Sequence, residues 1–160
     1  MLNKFVLIFI LINLIGCTSM STEPKGIIGE TQENGLPVIY AFENVVPAEE
    51  VQNKLKWLLV ISWKYDGSNN NGMPLSDVNN SMMELEDIIE NLIANNSFIK
   101  HAYSRTGNNL KELVYYIADN DKFLEYFNEE ASGKQKYPIE INFYKDEQWT
   151  ELQGLLKDFK

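Results

Sequence analysis

The sequence predicts a single α+β domain behind an N-terminal leader. Three observations carry that expectation. Of 160 residues, 44% are apolar and 23% charged, the balance of one globular unit with an ordinary core. Between residues 57 and 144 the apolar pattern switches between period two and helical period, in the order strand, helix, strand, strand, helix, strand. Residues 18–35 are rich in Ser, Thr, Glu and Gly, with Ile27-Ile28 as the one apolar pair. Such a segment buries too little to order itself, so the folded part is expected to be residues 36–160.

Each element has its own warrant. Pro37 opens a strand over 37–43, at a first position where its missing N–H costs least. Pro47 starts a short helix to about Lys54. Residues 57–66, WLLVISWKYD, form the strongest strand. Trp57, Leu59, Ile61, Trp63 and Tyr65 share one face, and Leu58, Val60, Ser62 and Lys64 the other. A GSNNNGMP stretch breaks it. Ser76 is then expected to cap a helix to about Ala94, with Val78, Met82, Leu85, Ile89 and Leu92 as its buried stripe. Residues 98–105 and 110–118 pair as a hairpin through a four-residue loop, Thr106-Gly107-Asn108-Asn109. A helix over 119–131 carries Phe123, Leu124 and Phe127 and stops at Gly133. Ile139, Ile141 and Phe143 alternate with Glu140, Asn142 and Tyr144 in a strand over 137–144. Asp146 caps a last helix bearing Trp149, Leu152, Leu156 and Phe159.

Right-handed crossovers would place both central helices on one sheet face. The expected architecture is therefore a ferredoxin-like split βαβ sandwich on a four- or five-stranded sheet, with an extra N-terminal strand and a C-terminal helix.

The leader explains where the domain is expected to reside. Residues 1–4 carry one positive charge, and residues 5–15 form an apolar run interrupted by Asn13. Eleven helical residues span about 16 Å, roughly half a hydrocarbon core, so the run fits a secretory h-region rather than a spanning helix. Leu14-Ile15-Gly16-Cys17 follows, and it resembles the lipobox of bacterial lipoproteins, although Ile15 is bulkier than the residue usual there. That resemblance implies cleavage before Cys17, diacylglycerol on its thiol and usually acylation of its new amine. Two or three acyl chains would anchor the protein stably, which one chain does not. Thr18 and Ser19, rather than Asp, follow the Cys, which implies the outer membrane; the expectation is a periplasm-facing, lipid-anchored protein. Residues 1–16 are thus the expected signal peptide and 17–35 the lipidated Cys and tether.

The search for chemistry excludes more than it finds. With 14 Lys and Arg against 23 Asp and Glu, net charge −9, the basic footprint of a duplex-binding protein is missing. One Cys and one His exclude disulfide frameworks, Cys/His zinc sites and Cys/His nucleophile pairs. No phosphate-binding Gly loop, serine-nucleophile elbow, zinc-protease helix or calcium loop is present, and no cofactor or metal is expected. Glu84, Glu86, Asp87 and Glu90 are taken as a solvated helix face. His101 has Tyr103, Ser104 and Asp119 near it in sequence, but nothing in their spacing makes them meet. It is taken as a surface or capped histidine of an edge strand. Arg105, the single Arg, sits at the expected hairpin tip; it could grip a carboxylate or phosphate, or serve as a gatekeeping charge on an edge strand, and the second is favoured. Trp63 and Tyr65 are assigned to the core.

Several short motifs together resemble a known family. Trp63-x-Tyr65, Asn71-Gly72-Met73-Pro74, Thr106-Gly107, Tyr115-Tyr116, Tyr137-Pro138 and Asp146-x-x-Trp149 are similar to the bacterial domain-of-unknown-function family numbered 695. The resemblance spans about residues 36–160. It implies a fold similar to the ferredoxin-like regulator of ribonuclease E, to which members are sometimes fused, and brings neither an activity nor catalytic residues.

The sheet face away from the two central helices is the candidate binding surface. If Ile139, Ile141 and Phe143 point inward, Glu140, Asn142 and Tyr144 lie outward with Ser62 and Lys64. The parity of the neighbouring hairpin strand is ambiguous; with Leu113, Tyr115 and Ile117 chosen as inward, Glu112, Val114 and Tyr116 join them. Tyr116 and Tyr144 would be anchors for a partner. Acidic residues in place of basic ones beside the aromatics argue against RNA. The expectation is a non-catalytic envelope module that binds a protein, in a narrower form an immunity-type inhibitor of a basic toxin. An envelope hydrolase is the alternative, and a ribonuclease regulator follows only from the family analogy.

Overall fold

The computed structural model describes residues 26–160; the leader and Cys17 lie outside the described residues. In chain order the elements are β1 (Gly26–Glu33), β2 (Leu36–Glu43), α1 (Glu49–Lys54), β3 (Trp57–Lys64), α2 (Ser76–Asn95), β4 (Ile99–Gly107), β5 (Leu110–Ile117), α3 (Asn120–Glu130), β6 (Ile139–Lys145) and α4 (Thr150–Asp158). The strands form one sheet in the order β1-β2-β4-β5-β3-β6. Every neighbouring pair runs antiparallel. The fold is mixed α+β. Among the described residues no helix is long and apolar enough to cross a membrane.

Both sheet faces are covered, unequally. On one, Leu59, Ile61 and Trp63 of β3 and Leu113, Tyr115 and Ile117 of β5 pack with Met82, Leu85, Ile89 and Leu92 of α2 and with Phe123 and Phe127 of α3. This is the face assignment that the alternation in β3 implies, and it settles the parity left open for β5; each fully buried Leu or Ile contributes about 1.5–3 kcal/mol. On the other face Leu58, Val114 and Tyr116 meet Leu55, Trp149 and Leu152, with Leu156 of α4 and Phe159 just after it at the margin.

Three expectations are corrected. The tether over 17–35 is not structureless throughout, because Gly26–Glu33 is strand β1, paired along its length with β2. Asn34 and Gly35 join them with φ of 53° and 78°, the two positive-φ residues of a primed hairpin turn. Alternation then places Ile27 and Gly29 toward α4. A Cβ on Gly29 would overlap the Phe159 ring, so that ring sits where only glycine leaves room. Ordering thus comes from backbone pairing with β2 and from the packing of Ile27 against the α4 side, which leaves Ile28 exposed.

The second correction concerns the β4–β5 hairpin. Its loop has two residues, Asn108 and Asn109, with φ of 49° and 63°; Thr106 and Gly107 belong to β4. The register ends with Gly107 opposite Leu110. The third is Ser76, which already lies within α2. Leu75 precedes the helix, and no side chain caps it. Asp119 caps α3 as its sequence implies, accepting from the Lys122 N–H at 2.8 Å.

Candidate functional site

Five of the six proposed binding residues were expected on an open face opposite the central helices, with Arg105 at a hairpin tip. Residues 146–159 decide how much of that face stays open. Trp149 has φ 57°, a left-handed conformation that turns the chain sharply into α4. The Asp146 carboxylate holds this turn. Oδ1 accepts from the Thr150 N–H and hydroxyl, and Oδ2 accepts from the Glu151 N–H at 3.0 Å. Asp146 thus satisfies the first amides of the helix from four residues upstream.

The turn drives Trp149 onto the sheet. Its indole stacks on Tyr116 with centroids 3.7 Å apart and 8° between planes, and its Nε1 donates to the Leu55 carbonyl at 2.9 Å. Tyr116 is wholly buried, and its hydroxyl donates to Asp146 Oδ2 at 2.6 Å. Tyr116 is therefore a core residue rather than an exposed anchor. Burial, reinforced by the Asp146 carboxylate, pushes its phenol well above the usual range, which keeps it a donor.

Arg105 is corrected as well. β4 lies between β2 and β5, so Arg105 is neither on an edge strand nor at the hairpin tip. Its side chain is 7% exposed, and Nη2 lies 2.6 Å from Glu33 of β1, with Nη1 3.7 Å from Glu112. Glu33 also accepts from the Tyr40 hydroxyl. The guanidinium is consumed inside the fold and ties β1 to β4 across β2.

His101, expected on an edge strand, also lies on the interior strand β4 and is half-buried. It meets Tyr115 edge-on at 5.4 Å, on the α2 side of the sheet. Burial lowers its pKa, partly opposed by Glu43 and Glu86. Two of the four helix carboxylates are engaged: Glu86 pairs with Lys111, and Glu84 accepts from Gln135 at 2.8 Å. Among the described residues no group of three or more His, Cys, Asp or Glu side chains is placed to hold a metal ion.

What remains open is a groove of about 560 Å³ over β3, β5 and β6, bounded by the start of α4. Its floor is Leu58, Val60 and Ser62. Asn142 and Tyr144 flank it on β6, and Tyr103, Glu112 and Glu151 close the far side. Of the expected residues, Asn142 and Tyr144 line it, and Tyr144 is 54% exposed. Lys64 and Glu140 form a solvent-exposed ion pair at 3.1 Å on the same face of β3 and β6, in register next to Ser62.

Sequence reasoning missed Tyr103, Asp146 and Glu151 as groove residues. A bulge between His101 and Tyr103 puts both Ala102 and Tyr103 on the α4 side, where the Tyr103 hydroxyl donates to Glu151 at 2.9 Å. No periodicity announces a bulge. The run Asp146 to Glu151, with its capping carboxylate, was a usable signal for where α4 starts, but not for what α4 covers.

Chemically the groove combines an apolar floor with carboxylates that already accept hydrogen bonds. Ser62 Oγ donates to Glu112 at 3.3 Å, and the sole imidazole is on the opposite sheet face. Its walls are mainly acidic, with Glu112, Asp146 and Glu151 against Lys145 as the one cation among the lining residues.

Residues 30–155 match the model of a family of unknown function, DUF695. No curated protein and no solved structure matches the chain.

Proposed function

Because the chain belongs to the DUF695 family, which supplies no activity to transfer, we propose from its own geometry that it is a lipid-anchored envelope binding module. Its groove over β3, β5 and β6 takes an extended protein segment carrying apolar and basic side chains. The observation that carries this reading is the half-covered sheet. α4 closes the β1-β2-β4 side, while Leu58, Val60, Asn142 and Tyr144 face a groove walled by Glu112 and Glu151. An acidic net charge of −9 steers basic partners toward such a wall. An immunity-type inhibitor of a basic toxin is the narrower form of the same reading.

The strand order β4-β5-β3-β6, with α2 and α3 on one face, supports reading the central six elements as a ferredoxin-like split βαβ unit. The anchor is Cys17, acylated after signal cleavage, with the domain facing the periplasm from the outer membrane; the lipobox-like residues before it support this.

A photo-crosslinking residue at position 144 in cells tests the binding reading. A discrete protein adduct, lost in a Val60→Lys variant of unchanged melting temperature, is the expected result. Adducts that survive Val60→Lys, or none at any groove position, would remove the groove from consideration. For the anchor, Cys17→Ser should abolish lipid labelling and leave unprocessed precursor.

A further inference from the structure

A second surface has chemistry opposite to the acidic groove. At the end of the sheet where β1 begins, Ile27, Val45, Val46, Leu156 and Phe159 line an open apolar recess of about 480 Å³. Lys157 and Lys160 also line it, and no carboxylate side chain does. Neither ammonium is in an ion pair among the described residues. In a chain with 23 acidic residues, the charged side chains lining this apolar recess are both lysines, with Asp158 between them in sequence and Glu43 in register with Gly26.

Its position adds an independent constraint. β1 is ordered from Gly26, so eight residues separate it from Cys17. At full stretch those residues reach about 30 Å. Ile27 lines the recess, so the recess is at the end of the domain where the chain coming from Cys17 enters. The intervening residues, TSMSTEPK, hold Met20 and Pro24 as their only apolar side chains, and their charges, Glu23 and Lys25, cancel.

We propose that this end of the domain docks on the bilayer surface, with Val45, Val46 and Leu156 at the headgroup boundary and Lys157 and Lys160 on anionic headgroups. The chemistry is that of a peripheral membrane contact, apolar side chains for shallow insertion and lysines for surface charge. Docking would hold β1 toward the membrane and turn the opposite end outward. The inference rests on acylation of Cys17, and it gives the anchored domain a defined orientation.

The test uses the full-length, lipidated protein in vesicles of phosphatidylcholine with or without phosphatidylglycerol. Cys17 is the sole cysteine and is blocked when acylated, so Val46→Cys or Asn69→Cys provides a single labelling site. Asn69 is exposed and serves as the control position. Its loop, through Gly72, lies against Leu36, at the other end of the β1–β2 hairpin from Gly26, roughly 25 Å of strand away. A polarity-sensitive dye at position 46 should shift to the blue and be quenched by nitroxide lipids in phosphatidylglycerol vesicles, while a dye at 69 stays solvent-like. Lys157→Gln with Lys160→Gln, or raised salt, should reverse most of the shift at 46.

Solvent-like emission at both positions on protein that still floats with vesicles would overturn docking and leave the anchor intact. A blue-shifted dye at 46 before vesicles are added would mean the chain covers its own recess, and docking falls. Protein that neither floats nor incorporates lipid label would overturn docking together with the anchor.

Discussion

Tyr116 and Trp149 stack face to face with centroids 3.7 Å apart, and both are completely buried. One comes from the middle of the sheet, the other from the turn that starts the last helix. Their contact converts half of an expected open face into a second core.

Tyr116→Ala is accordingly expected to destabilise the fold by about 3–5 kcal/mol, the usual loss for truncating a buried aromatic. Tyr116→Phe keeps the stack and loses only the hydrogen bond to Asp146. Urea unfolding of the two variants checks this; a Tyr116→Ala protein as stable as the parent would contradict the packing.

Asp146 links that stack to acid stability. Burial alone would raise its pKa, but hydrogen bonds from Thr150, Tyr116 and the Glu151 and Thr150 amides outweigh it and hold the carboxyl below its ordinary 3.8. A depressed folded pKa means that this stabilisation is complete above about pH 4 and disappears as pH falls through the lower folded value. Asp146→Asn should therefore be less stable than the parent at neutral pH and show a shallower acid-side loss, measured as melting temperature against pH.

Trp63 lies under α2 at 7% exposure, tilted against Tyr137 with centroids 5.9 Å apart. Trp63→Ala should cost about 3–5 kcal/mol and leave groove binding intact in whatever fraction folds. Normal melting with lost binding would reverse the assignment of the two faces.

β1 is expected to be a working part of the domain. Glu33→Ala leaves the buried Arg105 guanidinium with Glu112 at 3.7 Å as its remaining acidic partner and should destabilise by about 1–3 kcal/mol. Protein lacking residues 1–35 should also lose β1 and expose the edge of β2, whereas protein lacking only 1–25 keeps both. The shorter protein is expected to melt lower or aggregate; equal melting curves would show that β1 contributes nothing.

Gly107 has φ 144°, and a Cβ there would overlap the Pro37 carbonyl oxygen of the neighbouring strand. Gly107→Ala should lower stability by more than about 1 kcal/mol, because backbone strain and the clash act together. Thermal melting checks it directly.

Much of the fold was legible in local pattern. Alternation in β3 and β6 assigned side chains to the correct faces; in β5 it left two parities open, and the chosen one, with Leu113, Tyr115 and Ile117 beneath α2 and α3, is the one found. The β1–β2 hairpin also had a local signal, Asn34-Gly35, but its flanking Thr31, Gln32 and Glu33 have no apolar alternation to mark a strand. The bulge at His101/Tyr103 had none, so Tyr103 could not be placed in the groove from sequence. Arg105 looked peripheral because the hairpin was expected to be an edge, and β2 with β1 turned that edge into the interior.

By itself the sequence determined the order of elements from β2 onward, which residues share a face of β3 and of β6, and a resemblance to a family whose model matches residues 30–155. These are properties of neighbours along the chain, where a period of two or 3.6 is written into the order of side chains. Only the tertiary structure decided what lies on each face. Asp146 and the left-handed Trp149 fold α4 back over β1, β2 and β4, burying Tyr116 and leaving Tyr144 in the open. Periodicity states that two residues point the same way; which of them meets water depends on a helix that arrives from a distant part of the chain.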